Sequence, residues 1–210
     1  SMSFVHKEFD AAGAALLSGE PHADNRRVLM IGAGSAGSAI SEILARQGLF
    51  KWTIVDDDNL LPHNVARHTL NNQFVGRSKA IGLANRLMGI RDDVDARPVV
   101  DNVLTPIDKA VLDQQIGDAE FILDASATVP VSRWASDLPS AARRLCAFFT
   151  PDGKSAVLMI EDEARSLTLR DLETLYLREV LQNPALEGHL GAVDRMQYTG
   201  ACRALTNRIP

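Results

Sequence analysis

Apolar and polar positions along this chain follow two periods. Short apolar runs at residues 27–31, 52–55, 120–123, 145–149 and 155–160 read as buried strands, with 97–100 as an edge strand. Between them, apolar residues recur at helical spacing over 9–17, 35–47, 78–88, 107–115, 131–144 and 169–182. In the second of these the stripe is Ala39, Ile40, Ile43 and Leu44, which suits a helix lying on a sheet, and Pro184 stops the last one. Strands alternating with helices imply parallel pairing through right-handed crossovers, so the expected class is α/β with a doubly wound, mostly parallel sheet and helices on both faces. The polar stretch 19–25 reads as a linker. It divides an N-terminal helix and linker, 1–25, from a single domain, 26–210, with no internal repeat and no low-complexity tract.

Composition narrows the class without changing it. The 210 residues are 46% hydrophobic and 23% charged, which excludes disordered and fibrous chains. A formal net charge of −5 gives no reason to expect nucleic acid or an anionic membrane as partner, and no apolar run reaches membrane-span length. Cys146 and Cys202, the only two cysteines, cannot build a disulfide framework or a four-cysteine zinc site. With no basic-then-apolar leader at Ser1-Met2-Ser3, the expected compartment is a reducing cytoplasm. The chain stops at Arg208-Ile209-Pro210 without a tail or terminal helix, so the expectation is a domain cut from a longer protein and truncated at its C-terminal end.

Gly32-Ala33-Gly34-Ser35-Ala36-Gly37 stands between a strand and a helix, the context in which a GxGxxG pattern carries weight. Such glycines permit a tight turn and close backbone approach, so that phosphate oxygens meet the positive end of a helix. A bare tight turn is the alternative. Asp56 ends the second strand roughly twenty residues further on, where an acid can accept bonds from ribose hydroxyls. Nothing in this fingerprint separates ATP from a nicotinamide cofactor.

The next segment does. Asp56, Asp57 and Asp58 are followed by Asn64, Arg67 and then Gly76-Arg77-Ser78-Lys79, which brings acids, an amide and two kinds of cation together. This combination resembles the adenylating domain of the ThiF/MoeB/HesA family, relatives of the ubiquitin-activating enzymes. Their pattern is an acidic strand end, then Asn-Leu-x-Arg-Gln, then Gly-x-x-Lys-x. Val65 and His68 depart from it mildly, and the resemblance covers roughly residues 26–149. It implies a Rossmann-like fold and adenylation of the C-terminal carboxylate of a ubiquitin-like or sulfur-carrier protein, with ATP and Mg2+ as cofactors. On that template Gly32, Gly34 and Gly37 form the phosphate loop, Asp56 holds the ribose, and Asp58 lies near ribose and phosphates. Asn64 and Arg67 reach the phosphates, and Lys79 contacts the triphosphate. The alternative for Arg67 and Lys79 is simple ion pairing with the acidic run. Attack of a carboxylate on the α-phosphate accumulates negative charge, which is why fixed cations and a metal belong in such a site.

Three departures qualify the resemblance. The family's later Asp-x-x-Asp, which includes its metal ligand, is here Asp124-Ala125-Ser126-Ala127, so Asp124 is the candidate metal ligand and the second acid is missing. Asp124 takes over, another group or a water fills the place, the site is weakened, or the residue has been altered; alternatively Asp124 is only a strand-end cap. The paired Cys-x-x-Cys of many members is absent, so no zinc is expected. Family dimers supply an arginine to the neighbouring site, yet no arginine precedes Arg26; a homodimer remains the implied assembly, and either that arginine belongs to a missing upstream region or Arg26 and Arg27 act within one chain. Cys202, among small and polar residues near Arg203 and Arg208, is the candidate for a thioester with the carrier, its alternative being a packing residue. Cys146, in an apolar strand, reads as core, and the five histidines show no metal spacing. Competing functions are an NAD-dependent oxidoreductase and a catalytically silent nucleotide-binding or dimerisation module.

Overall fold

The computed structural model describes residues 9–150 and 153–190. Its elements are α1 (Ala11–Leu17), β1 (Asp24–Ile31), α2 (Ser35–Arg46), β2 (Leu49–Val55), α3 (Lys79–Met88), β3 (Ala96–Val99), α4 (Lys109–Gly117), β4 (Phe121–Asp124), α5 (Val129–Asp137), β5 (Arg143–Phe149), β6 (Ala156–Ile160) and α6 (Leu169–Gln182), with short 3-10 turns between. The strands form one sheet in the order β3-β2-β1-β4-β5-β6. All pairs are parallel except β5 with β6, which is antiparallel, so the sheet is mostly parallel as expected. The loop between β5 and β6 is short, too short for the crossover that a parallel pair demands.

Alternation along the strands sorts two cores. Val28, Met30, Trp52, Ile54 and Leu123 point to one face, where Ile40 and Leu44 of α2 and Leu83 and Leu87 of α3 cover them. Leu29, Ile31, Val55 and Ile122 point to the other, against Leu112 and Ile116 of α4 and Val131 and Ala135 of α5. Trp52 is therefore a core residue and Trp134 packs against the second core. α1 is tied to the body: Ala14 and Ala15 are buried and the Ala11 N–H donates to Asp93.

The expected helix over 131–144 is two elements. α5 ends at Asp137, just before Leu138-Pro139, because the residue preceding proline is pushed out of the α region. Arg143 and Arg144 open β5 instead. α4 starts two residues later than expected, capped by Asp108, whose carboxylate accepts from the Val111 N–H at 3.1 Å.

β1 sits at the centre. The chain leaves it toward β2 and β3 and later returns to its other side as β4, so the crevice of this doubly wound sheet opens where the C-terminal ends of β1 and β4 lie side by side. That end carries Gly32, Asp56 and Asp124. Arg26 and Arg27 stand near the opposite end of β1, about 17–20 Å from Gly32 at 3.3 Å per residue. Arg26 pairs with Asp24 and stacks over Phe121, while buried Arg27 pairs with Asp95. Neither arginine reaches its own chain's crevice, which overturns their candidacy for acting within one chain.

Candidate active site

The glycine loop leaves β1 through Gly32 at φ +95°. A Cβ there would lie 2.8 Å from the Ser126 backbone, so only glycine lets the turn pass this close to the segment after β4. A Cβ on Gly37 would sit 2.1 Å from the Gly32 carbonyl oxygen, which fixes α2 tightly on the turn. Gly34 is different: it is the N-cap of α2, no side chain caps the helix there, and a Cβ would meet nothing within 4 Å. The first N–H groups of a twelve-residue helix thus face an opening, an arrangement suited to an anion.

Asp56 anchors this loop. Its carboxylate accepts from the Ala33 N–H at 2.7 Å and from the Asp58 N–H at 2.8 Å. Burial pushes its pKa up, and the Lys79 charge acts against that rise. Lys79 begins α3 with 1% of its surface exposed, and its ammonium lies 3.1 Å from Asp58 Oδ2. The backbone joins the same two segments, since the Lys79 N–H donates to the Asp58 carbonyl at 3.0 Å. The pairing weighed as the alternative for Lys79 is therefore the one present here. It also stores a buried cation beside Asp56, close to the glycine loop.

Asn64 and Arg67 come from a 3-10 turn, Pro62–Ala66, and its C-cap. Asn64 is buried and its Oδ1 accepts from the Leu61 N–H at 2.9 Å. The Arg67 carbonyl accepts from Ser35 Oγ at 2.8 Å, which ties this turn to the first residue of α2. His68 explains its own departure from the family's glutamine. Its Nδ1 accepts from the Leu70 N–H at 3.0 Å, so Nε2 carries the proton and donates to the Ala33 carbonyl at 2.6 Å. Burial lowers its pKa and keeps it neutral, a locally bonded histidine bracing the glycine loop.

Two hollows meet here. The first, about 290 Å³, lies between Asp56, Asp57, Asn102, Leu104 and the glycine loop. The second, about 380 Å³, runs between α5, α6 and the end of β5, with Arg67 and Asp124 in its walls. They share Gly34, Ala125, Ser126 and Thr128. Ala127 lies at this junction with φ +56°, a left-handed conformation that costs alanine about 1–2 kcal/mol and suits Gly, Asn or Asp better.

Asp124 ends β4, 1% exposed at the floor of the second hollow. Oδ1 accepts from the Ser126 N–H at 2.9 Å and Ser126 Oγ at 2.6 Å, so the strand-end cap is present. Oδ2 faces the Cys146 thiol at 3.7 Å, across the β4–β5 register. Burial raises the Asp124 pKa, against the hydrogen bonds from Ser126 that lower it. Cys146 is core, as its apolar strand suggested, and burial with the neighbouring carboxylate pushes its thiol up to about 12, which removes it as a nucleophile. Cys202 lies outside the described residues. Among the described residues no group of three or more His, Cys, Asp and Glu could hold a metal ion, and no helix is long and apolar enough to cross a membrane.

Of the residues expected at the site, Gly32, Gly34, Asp56, Asp58, Arg67 and Asp124 line these two hollows, while Gly37, Asn64 and Lys79 are buried and line neither; sequence reasoning did not find Ser35, Ser126 or the wall of the second hollow. Ser126 follows the strand-end acid directly, which is the signal that could have marked it.

The sequence model of the ThiF family matches residues 14–167. A Cap2 ubiquitin transferase-like protein of Vibrio cholerae is 29% identical over 150 residues, covering 65% of this chain and 24% of the relative. The molybdopterin-synthase adenylyltransferase of Escherichia coli is 28% identical over 75% of this chain and 60% of its own length, and the SAMP-activating enzyme E1 of Haloferax volcanii is 29% identical over 53% and 40%. The chain thus spans less than two thirds of each. Escherichia coli MccB crystallised with AMPCPP and MccA superimposes with a TM-score of 0.58 at 18% identity, over 80% of this chain and 52% of that one, a likeness of fold. With the family's model spanning the glycine loop, the acidic strand end and the Asp124 turn in one crevice, the chain belongs to the ThiF family.

Proposed function

We propose that this domain adenylates the C-terminal carboxylate of a ubiquitin-like or sulfur-carrier protein, using ATP. The observation that carries the reading is the junction: a hollow bounded by Asp56 and the glycine loop opens at Gly34 and Ser126–Thr128 into a second hollow that holds Arg67. ATP in the first would rest its ribose on Asp56 and its phosphates on the N-terminus of α2, with Lys79 exchanging Asp58 for the triphosphate. An acceptor carboxylate entering through the second would meet the α-phosphate at the shared wall. Its oxygen forms the new P–O bond as the bond to pyrophosphate breaks, and Arg67, Lys79 and the helix N–H groups stabilise the charge that develops.

Magnesium fits the donor chemistry, because Asp124 is a buried carboxylate with no paired cation among the described residues and Mg2+ is held by one or two carboxylates plus substrate phosphates. When bound, it supplies charge neutralisation at the phosphates. A thioester on Cys202 would be a later step and a homodimer the working assembly. The named relatives support the first reading as well: one is called an adenylyltransferase and another a SAMP-activating enzyme.

A second reading, nucleotide binding without adenylation, is favoured by Ala127. ATP–pyrophosphate exchange driven by candidate carrier proteins separates the two. Exchange that needs both ATP and a free carrier carboxylate supports adenylation, whereas tight ATP binding without exchange by any carrier supports the second. A reducible carrier adduct that survives Cys202→Ala removes Cys202 from the chemistry.

A further inference from the structure

The second hollow is far less polar than its neighbour. Away from Arg67 and Asp124 most of its wall is apolar, with Val129, Phe148, Phe149, Met159 and Leu177 beside Tyr176, and Ser132 and Glu173, the latter paired with Arg133, also line it. Among the described residues, two polar atoms in this region have no hydrogen-bond partner: the Tyr176 hydroxyl and His189 Nε2 are both buried, and their rings pack edge to face at 5.8 Å. A buried polar atom left unpaired costs about 1–3 kcal/mol, and such atoms are expected to have partners. Phe148 holds Tyr176 in place from the strand side, with centroids 5.9 Å apart.

We propose that this hollow selects an acceptor whose C-terminal residue is preceded by a bulky apolar side chain, with Tyr176 as the specificity-determining residue. The proposal rests on the adenylation reading and names its substrate class. The occupant follows from charge and continuity. A free carboxylate is drawn to the end of the hollow where Arg67 and the N-terminus of α2 converge, so the residues leading up to it lie along the apolar wall. A tail made only of glycines would leave that wall wet and the Tyr176 hydroxyl unpaired. A Leu or Phe side chain at the penultimate position fills the space beside Phe148 and Leu177, and a backbone carbonyl of the same segment accepts from Tyr176 Oη.

The test uses the whole 210-residue chain and synthetic peptides that end in glycine, with Gly, Leu or Phe before it. Two readouts are taken: peptide binding by fluorescence polarisation with a non-hydrolysable ATP analogue present, and ATP–pyrophosphate exchange. The Leu and Phe peptides are expected to bind at least about tenfold more tightly than the Gly peptide, within the range by which apolar pockets discriminate. Tyr176→Phe should weaken the Leu and Phe peptides about three- to fivefold, the loss of one neutral hydrogen bond, and leave the affinity of the Gly peptide unchanged. Leu177→Lys, at an exposed position on the rim, should abolish the preference while the protein stays folded. Preferential binding without exchange would keep the selectivity and sink the adenylation reading. Exchange with equal affinity for all three peptides would do the reverse, and assign the hollow to another occupant such as residues 191–210 or a second copy. Absence of both binding and exchange overturns the two together.

Discussion

A Cβ added at Gly37 would press into the Gly32 carbonyl, whereas one added at Gly34 would project into open space. Gly37→Ala should therefore lower stability by about 1–3 kcal/mol, the cost of overpacking, as measured by urea denaturation. Gly34→Ala should change stability by about 1 kcal/mol or less yet weaken ATP binding at least tenfold in calorimetry, because the methyl occupies the path of the phosphates. Asp124 carries a pH dependence. Burial raises its pKa in the folded state, so the folded protein holds this proton to higher pH than the unfolded chain does. The contribution favours folding at low pH and is lost as pH rises from the ordinary carboxylate value through the raised one. Asp124→Asn keeps the acceptor for the Ser126 N–H and removes the buried charge. It should raise Tm at pH 7 by about 2–4 °C, the shift produced by about 1 kcal/mol in a chain of this size, with the gain shrinking toward pH 4. The same variant should lose exchange activity, which would mark Asp124 as a residue kept for function at a cost in stability.

At the scale of elements, Arg144 explains why α5 and β5 meet as they do. Its guanidinium is completely buried and donates to the carbonyls of Ala135, Leu138, Ser140 and Ala142, at the end of α5 and in the turn that follows. Arg144→Met should destabilise by roughly 3 kcal/mol in denaturant unfolding, since several buried carbonyls lose their donor together, and Arg144→Lys should recover little because one ammonium cannot span four acceptors. This is also where sequence reading went astray. Arg143 and Arg144 extend a helical pattern on paper, and only Pro139 signals the break. Strand ends were legible because glycine and aspartate punctuate them, and the crevice residues because their order along the chain matches the order in which the sheet delivers them. The Cys146–Asp124 contact was not, since it depends on the register of β4 with β5. Nor was the Tyr176 wall, which exists only because α6 docks on β5 and β6 through Cys146, Met159 and Leu169.

Over the whole molecule, the two faces of the sheet are unequally covered. α6 shields one face of β5 and β6, while on the other face α2 and α3 pack mainly over β2 and β3. Register places Ala147 beside Leu158 and Leu145 beside Ile160 on that second face, next to Phe149. Leu158 is 62% exposed, and Ile160 and Phe149 on the same face of the strand pair are exposed as well. A contiguous apolar surface of this kind is what a self-complementary interface needs, and a stable one buries about 800 Å² on each partner. Because Arg26 and Arg27 are committed to ion pairs near the far end of β1, neither can complete the crevice of its own chain, and a second copy on this face would lie beside Phe149 at the rim of the second hollow. The homodimer implied by the family pattern is expected to form here. Sedimentation of the chain at micromolar concentration should give a dimer, and Leu158→Lys a monomer whose unfolding free energy per chain changes by about 0.5 kcal/mol or less, as befits a surface position. A monomeric parent chain would sink the assembly. A dimer indifferent to Leu158→Lys would move the interface elsewhere, and a monomeric variant that binds ATP normally but exchanges pyrophosphate poorly would show that the neighbouring copy contributes to the chemistry.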